Sequence, residues 1–443
     1  MFCHASVVKE KLSEAISQLS EVSWMFAKDP IRNFTRIRKL PFEKVVHLLL
    51  AMEGGSLTSE LMNYFGCSSD IASSSALVQQ RAKIDSSAFS ALFDLFVQKT
   101  DQDVRYKGYR LIAADGSDIH IPTNPTDPDS YFPPKEGQAA FNLLHLDTMY
   151  DLLRHTYTDA ILLGQRKANE QSSLCRMVDR SHMKNVLVIA DRGYEGFNLM
   201  AHIQEKGWQF LIRIRDAESS SSIAGGLNLP NAKEFDLSLS LSLTTKQTND
   251  IKKLAENKNQ YKILRYGCNF DYLPWKNRKH EPPVFYRLPF RIVRFQIADG
   301  VYETLVTNLD RRNFPASELK KLYRMRWGIE TSFRELKHTV GLLHFHAKKV
   351  EYIYQEVFAR LTMYNFTELV TSHVIIQKSD TKHAYKANFS AAVHVCRQFF
   401  LGNVSPPEVE ALIRRYVSPI RPGRSSPRKS SVRKAVSFIY RVA

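Results

Sequence analysis

The chain has 443 residues, 44% hydrophobic and 11% aromatic, enough apolar matter for roughly two to four globular domains, which sets disorder aside as the default state. Its 62 Lys and Arg against 45 Asp and Glu leave a formal charge of +17, which points to phosphate-bearing partners, nucleic acid before an anionic membrane. No apolar run approaches the roughly 20 residues of a membrane span, charge interrupts the first residues where a signal peptide would be apolar, and Cys3, Cys67, Cys175, Cys268 and Cys396 form neither a disulfide framework nor a zinc pattern, so a cytoplasmic, membrane-free protein is expected.

Residues 1–105 read as helical, with periodic apolar stretches at Phe42–Met52, Leu57–Phe65, Ile71–Ile84 and Ala88–Val97. Gly54, Gly55 and Gly66 punctuate them, and short helices with glycine turns suggest a helix-turn-helix-like unit. Just upstream, Arg32, Arg36, Arg38 and Lys39 around Phe34 suit a DNA backbone or, equally, a solvated basic loop.

From about residue 108 the period changes. Arg110–Ala114 and the stretch Leu143–Leu163, with a turn near Tyr150 and Asp151, look like three successive strands. Val186–Ala190 is a continuous apolar run, as a strand covered on both faces should be. A helix at Gly196–Lys206 and a strand at Trp208–Ile214 follow, an order that belongs to α/β or α+β domains. Residues 216–308 turn polar and strand-rich, through Ser219–Ser222, the alternation of Leu237–Leu243, and strands near Tyr261–Tyr266 and Phe285–Ile297, and read as a β insertion. A long helix is predicted from about Ser317 to Val340, with start signals at Pro315 and Ser317 and a stop at Gly341, and further helices at 351–375, 388–400 and 406–416. The end of the chain has no acidic residue after Glu410 and reads as a disordered basic tail.

The long helix carries the strongest signal. At about 100° per residue, Tyr323, Arg326, Glu330 and Lys337 share an arc of about 60°, beside an apolar face made by Leu322, Met325, Ile329, Phe333, Leu336 and Val340. Read alone, Arg326 and Glu330 are an ordinary helix ion pair of about 0.3–0.5 kcal/mol. Two other carboxylates change that reading. Asp115 closes the apolar strand Leu111–Ala114 and Asp191 closes Val186–Ala190, the strand-end position typical of α/β active sites, although each taken alone is an ordinary turn former. Together the three make an oxygen-rich site suited to Mg²⁺. Asp118 competes with Asp115, but in an extended strand the two point to opposite faces. His344 and His346 read as a solvated loop or a DNA-backbone contact, since no third nitrogen or sulfur ligand accompanies them.

The pattern Tyr-x2-Arg-x3-Glu-x6-Lys, with Asp115-Gly-Ser and Asp191-Arg-Gly-Tyr before it, resembles the DDE transposases of bacterial insertion sequences, family four, over about residues 110–350. The resemblance implies an α/β fold: a ribonuclease-H-like catalytic domain in two parts, 106–215 and 309–350, interrupted by the β-rich insertion 216–308. Flanking it would be a helical N-terminal DNA-binding domain at 1–105, a helical C-terminal region at 351–420 and the basic tail at 421–443. Asp115, Asp191 and Glu330 would be the catalytic metal ligands for two Mg²⁺ ions, with Mn²⁺ as a substitute. Tyr323, Arg326, Lys337 and Arg192 would hold DNA near the scissile phosphate. The implied partners are double-stranded DNA with terminal inverted repeats and target DNA, bound by a homodimer near the bacterial nucleoid. The family nicks the element's end, forms a hairpin on the flank and joins the freed end to target DNA; neither Trp275 nor Trp327 is assigned to an aromatic pocket for a flipped base. The rival readings are an inactive, DNA-binding descendant of a transposase and a structure-specific nuclease of the same fold.

Overall fold

Val186–Ala190 is fully buried along its whole length, because the strand it forms is covered on both faces. Alternation sorts its side chains. Val186, Val188 and Ala190 enter one core with Leu174, Val178, Leu199 and Ile203, whereas Leu187 and Ile189 enter another with Ile329, Leu336 and Val357. The computed structural model describes residues 4–36, 38–215, 222–265, 268, 270–273, 284–374, 376 and 384–420; Ser219–Ser221, Trp275 and the basic tail at 421–443 lie outside them.

The strands are β1 (Arg110–Ile121), β2 (Tyr131–Phe132), β3 (Phe141–Asp151), β4 (Thr156–Gly164), β5 (Val186–Ala190), β6 (Gln209–Arg213), β7 (Phe235–Thr244), β8 (Tyr261–Ile263), β9 (Tyr286–Ala298), β10 (Val301–Thr307), and the short pair β11 (Tyr385–Ala387) and β12 (Val417–Pro419). β1, β3 and β4 pair antiparallel, β5 lies parallel to β1, and β6 lies parallel to β5. Beyond β6 the same sheet continues through β10, β9, β7 and β8, so the strands between residues 216 and 308 extend the central sheet.

The helices are α1 (His4–Glu21), α2 (Phe42–Ala51), α3 (Leu57–Tyr64), α4 (Ser74–Arg81), α5 (Ser87–Thr100), α6 (Glu170–Arg180), α7 (Phe197–Glu205), α8 (Asn249–Leu254), α9 (Ala316–Met325), α10 (Trp327–Glu335), α11 (Val350–Thr371), α12 (Phe389–Leu401) and α13 (Pro406–Arg415). Side-chain caps begin several of them: Ser56, Ser73, Asn169 and Asn388 each accept a first-turn amide, and Ser405 with Glu408 forms a capping box. α6 and α7 cover one face of the sheet, and α9, α10 and α11 pack in the core on the other. Among the described residues no helix is long and apolar enough to cross a membrane.

Two elements depart from expectation. β1 does not stop at Asp115, because pairing with β3 continues from Asp115↔Thr148 to Ile121↔Asn142; what stops there is its pairing with β5. The long helix is divided. Arg326 N bonds Tyr323 O at 3.1 Å and Ile329 N bonds Arg326 O at 3.0 Å, a tightening to three-residue spacing, and the end relaxes into a π turn at Leu336–Val340.

α11 is buried nearly all round and packs against α1, α2, α5, α12 and β4, so the helices before and after the sheet share one core. Its polar groups are partnered within that core. Arg81 Nη1 donates to Glu356 Oε1 at 2.8 Å, Arg81 Nε to Gln355 Oε1 at 2.8 Å, and Arg360 Nη2 to Glu53 O at 2.7 Å. Burial works to raise the Glu356 carboxyl, but Arg81 and then His346 outweigh it and hold it at about 2. The His346 side chain is therefore not solvated as expected: it is 2% exposed, between Glu356 and Glu60, because it closes this network.

Arg81→Ala leaves the Glu356 carboxylate buried without its principal partner. Denaturant unfolding should show a loss of about 3–5 kcal/mol; a loss under about 1 kcal/mol, the surface-pair range, would mean that water reaches the site.

Candidate active site

The last paired residues of β1 and β5 are Ala114 and Ala190, opposite one another in a parallel ladder. The next residue on each strand is a carboxylate, so Asp115 and Asp191 emerge together where the two strands part. Asp115 Oδ1 accepts the Gly116 amide at 2.9 Å, and Asp191 Oδ1 accepts the Gly193 amide at 2.8 Å, capping the turn Arg192–Tyr194.

Glu330 arrives from the first turn of α10 and is tied to the strand by Arg326. The guanidinium donates from Nη2 to Glu330 Oε1 at 2.7 Å, and its Nη1 stands 3.6 Å from Asp115 Oδ2. Arg326 is 6% exposed by its side chain and lies against the rings of Tyr323 and Trp327, at 5.6 and 5.4 Å from their centroids. Its Nε and the Tyr323 hydroxyl are buried with no hydrogen-bond partner among the described residues.

The electrostatics follow from this crowding. Burial pushes the Asp115 carboxyl up, Arg326 opposes the rise, and the charges of Asp191 and Glu330 reinforce it, leaving the group at about 7. One guanidinium does not neutralise three carboxylates that feel one another, and an all-oxygen donor set of this kind fits a hard divalent cation.

Of the other predicted site residues, Arg192 is exposed in the turn after Asp191. Lys337 lies on the π turn and donates from Nζ to Asp118 O at 2.7 Å, further along β1; burial lowers its ammonium and Asp118 opposes that. Trp327 is 52% exposed beside Arg326. In the N-terminal basic stretch, Lys39 pairs with Asp70, Arg32 stands 3.8 Å from Asp29, and Arg36 and Arg38 are exposed.

Sequence reasoning missed a second polar cluster on the other face of β1. His145 and Asp147 project from β3 beside Asp118 and Gly116, and Glu170 opens α6. His145 Nδ1 meets Asp118 Oδ1 at 2.7 Å, while Nε2 stands 3.1 Å from Asp147 Oδ1 and 3.4 Å from Glu170 Oε1. Burial lowers the imidazole, but the hydrogen bond to Asp118 and then the adjacent carboxylates of Asp147 and Glu170 push it up to about 11. The signal in the sequence was His145-Leu-Asp147, two polar side chains on one face of an otherwise apolar strand. Gly116 is required here by close approach. A Cβ on it would lie 2.4 Å from His145 Nε2 and 2.8 Å from Glu170 Oε1.

Comparison with known proteins carries the reading further. A family model described as "Transposase DDE domain" matches residues 106–366. The chain is 24% identical over 344 residues to "Transposase InsG for insertion sequence element IS4" of Escherichia coli (strain K12), covering 74% of this chain and 70% of that protein. Among solved structures it is similar to a cryo-EM structure of the piggyBac transposase synaptic complex with hairpin DNA, with a TM-score of 0.46 and 10% identity over 96% of this chain and 87% of that one. The family match and the transposase relative define an enzyme that acts on the phosphodiester bonds of DNA and depends on a divalent metal. The chain belongs to the DDE transposases, and the resemblance to insertion-sequence family four agrees with its IS4 relative.

The raised Asp115 group sets a pH dependence. A carboxyl whose folded value lies near 7 stabilises the fold fully below its unfolded value of about 4, and that contribution is lost as pH rises through about 7. In EDTA, Asp115→Asn should therefore gain thermal stability relative to the parent between pH 5 and pH 8, by on the order of one to four kcal/mol. A difference that stays constant across that range, followed by calorimetry, would place Asp115 in a solvated environment.

Proposed function

We propose that this enzyme cleaves the ends of an insertion sequence and joins them to target DNA, with Asp115, Asp191 and Glu330 as its metal-binding catalytic carboxylates. The observation that carries this reading is that the two aspartates follow directly on the paired residues Ala114 and Ala190 of β1 and β5, and that Arg326 bridges the first of them to Glu330. The order β4-β3-β1-β5-β6, with three antiparallel strands followed by two parallel ones, supports a ribonuclease-H-like core. On this reading 106–215 and 309–350 are its two parts, 216–308 is an insertion that lengthens the sheet, and 1–105 and 351–420 bind the element's DNA together with the basic tail at 421–443.

The donor set fits two Mg²⁺ ions, with Mn²⁺ as a substitute, and such ions when bound activate an attacking oxygen and stabilise the leaving one. The remaining work belongs to the chain. Arg326 and Tyr323 have a buried guanidinium N–H and a hydroxyl without hydrogen-bond partners among the described residues, which supports a role for both in holding oxygens of the scissile phosphate. Arg326 also holds Glu330 against Asp115, so it orients a ligand as well as binding substrate. Arg192 and Lys337 meet the flanking backbone. The DNA carries terminal inverted repeats, and two ends are paired by a homodimer.

Asp191→Asn and Glu330→Gln should each reduce metal-dependent nicking of the element's own ends by on the order of 10²-fold or more while leaving binding of those ends intact. Cleavage at the parent rate in either variant would remove that carboxylate from the assignment. Lys337→Ala should weaken end binding and reduce the slope of log K against log salt by about one; an unchanged slope would take Lys337 out of the DNA interface.

A further inference from the structure

His145, Asp147 and Glu170 are the one group of three such side chains, among the described residues, whose ligand atoms all lie within 4.8 Å of one another. They are not part of the carboxylate site described above. Antiparallel pairing sets Gly116 opposite Asp147 and Asp118 opposite His145, on the face of β1 that Ala114 and Met149 share with α6. Asp115 has the other parity and shares its face with Leu111 and Ala113. The two clusters thus start from opposite faces of β1, and they approach one another at the turn after β5, where a Cβ on Gly193 would lie 3.0 Å from both Asp191 Oδ1 and Glu170 Oε2 and where Tyr194 feels the carboxylates of both.

The hydrogen bonding inside this second cluster is incomplete. Asp147 is 0% exposed, yet among the described residues neither of its carboxylate oxygens accepts a hydrogen bond. Among the described residues His145 Nε2 is likewise buried without one, although Asp147 Oδ1 and Glu170 Oε1 stand 3.1 and 3.4 Å from it. Leaving a buried carboxylate in this condition is costly. A cation on the Nε2 lone pair, flanked by the two carboxylates, removes the cost. The spacings agree, because two ligands each about 2.1 Å from one ion stand about 3.0–3.4 Å apart at octahedral to tetrahedral angles, and Nε2 is 3.1 and 3.4 Å from the two oxygens. Behind the ring, Asp118 accepts from Nδ1–H at 2.7 Å, the arrangement that fixes the tautomer of a metal-bound histidine. Gly116 keeps the space clear, since any side chain there would enter it.

We propose that His145, Asp147 and Glu170 bind a divalent transition-metal ion, distinct from the ions of the Asp115–Asp191–Glu330 site, with Asp118 orienting the imidazole. Imidazole with two carboxylates selects Mn²⁺ or Zn²⁺ over Mg²⁺ or Ca²⁺. The ion takes the place of the Nε2 proton, which is released to solvent, while Nδ1 keeps its own.

The test uses the full chain carrying Asp191→Asn and Glu330→Gln, so that it does not depend on the catalytic assignment, with Mn²⁺ as probe. Equilibrium dialysis should retain about one equivalent, and pulsed electron paramagnetic resonance should show coupling to an imidazole ¹⁴N, which an all-oxygen site lacks. Zn²⁺ should displace the Mn²⁺. Adding His145→Gln should abolish the coupling, and Asp118→Asn, on the exposed side of the ring, should weaken affinity about 10- to 100-fold. The unmutated protein, which needs no variant to fold, should show the same nitrogen coupling. No retained Mn²⁺, retention with oxygen-only coupling, or coupling that survives His145→Gln would each overturn the proposal.

Discussion

The centre of this molecule depends on a buried guanidinium between a strand and a helix. Arg326 touches Asp115 on β1 and Glu330 on α10, and lies against Tyr323 and Trp327. Burial alone would lower its affinity for a proton, yet Tyr323, Glu330 and Asp115 together hold it firmly charged. A buried ion pair of this kind is poor evidence for stability, because desolvation offsets much of the attraction, but it is effective at specifying one arrangement over others. Here it fixes how the helix sits along β1. The tightening of the helix at Arg326 turns its side chain toward both carboxylates, and the relaxed turn that follows brings Lys337 back to the β1 backbone at Asp118.

The sheet divides the polar chemistry in two. Alternation along β1 sends Asp115 toward α10, and Gly116 and Asp118 toward α6. Each face then gathers carboxylates around one nitrogenous group, Arg326 on one side and His145 on the other. The difference is that arginine retains its proton and histidine exchanges it, so only the second face can trade its cation for a metal.

Much of this was legible in the sequence, for physical reasons that can be named. Val186–Ala190 announced a doubly covered strand because five apolar residues in a row have no solvent face to offer. Tyr323, Arg326, Glu330 and Lys337 announced a polar stripe because helical spacing is local geometry. The true length of β1 was not legible, since it is set by a partner strand and its polar residues, Asp115, Ser117 and Asp118, resemble a turn. His346 was read as part of a solvated loop or a DNA-backbone contact because its partners Glu60 and Glu356 are distant in sequence or hidden on an all-buried helix. The His145 cluster was missed because Glu170 joins it from a helix that periodicity did not reveal. The extension of the sheet by β7 to β10 was invisible for a similar cause: strand pairing across nearly a hundred residues leaves no local trace.

The shared core around α11 has a bearing on how the chain is made. Leu12, Phe89, Phe93 and Phe96 are buried in the same core as Val357, Phe358 and Phe366, yet the whole sheet is encoded between them. A ribosome adding roughly 5–20 residues each second places α11 on the order of ten to fifty seconds behind α5. For that interval the first five helices carry an apolar face with no permanent partner, and the nascent protein is exposed to premature association until its own later helix arrives.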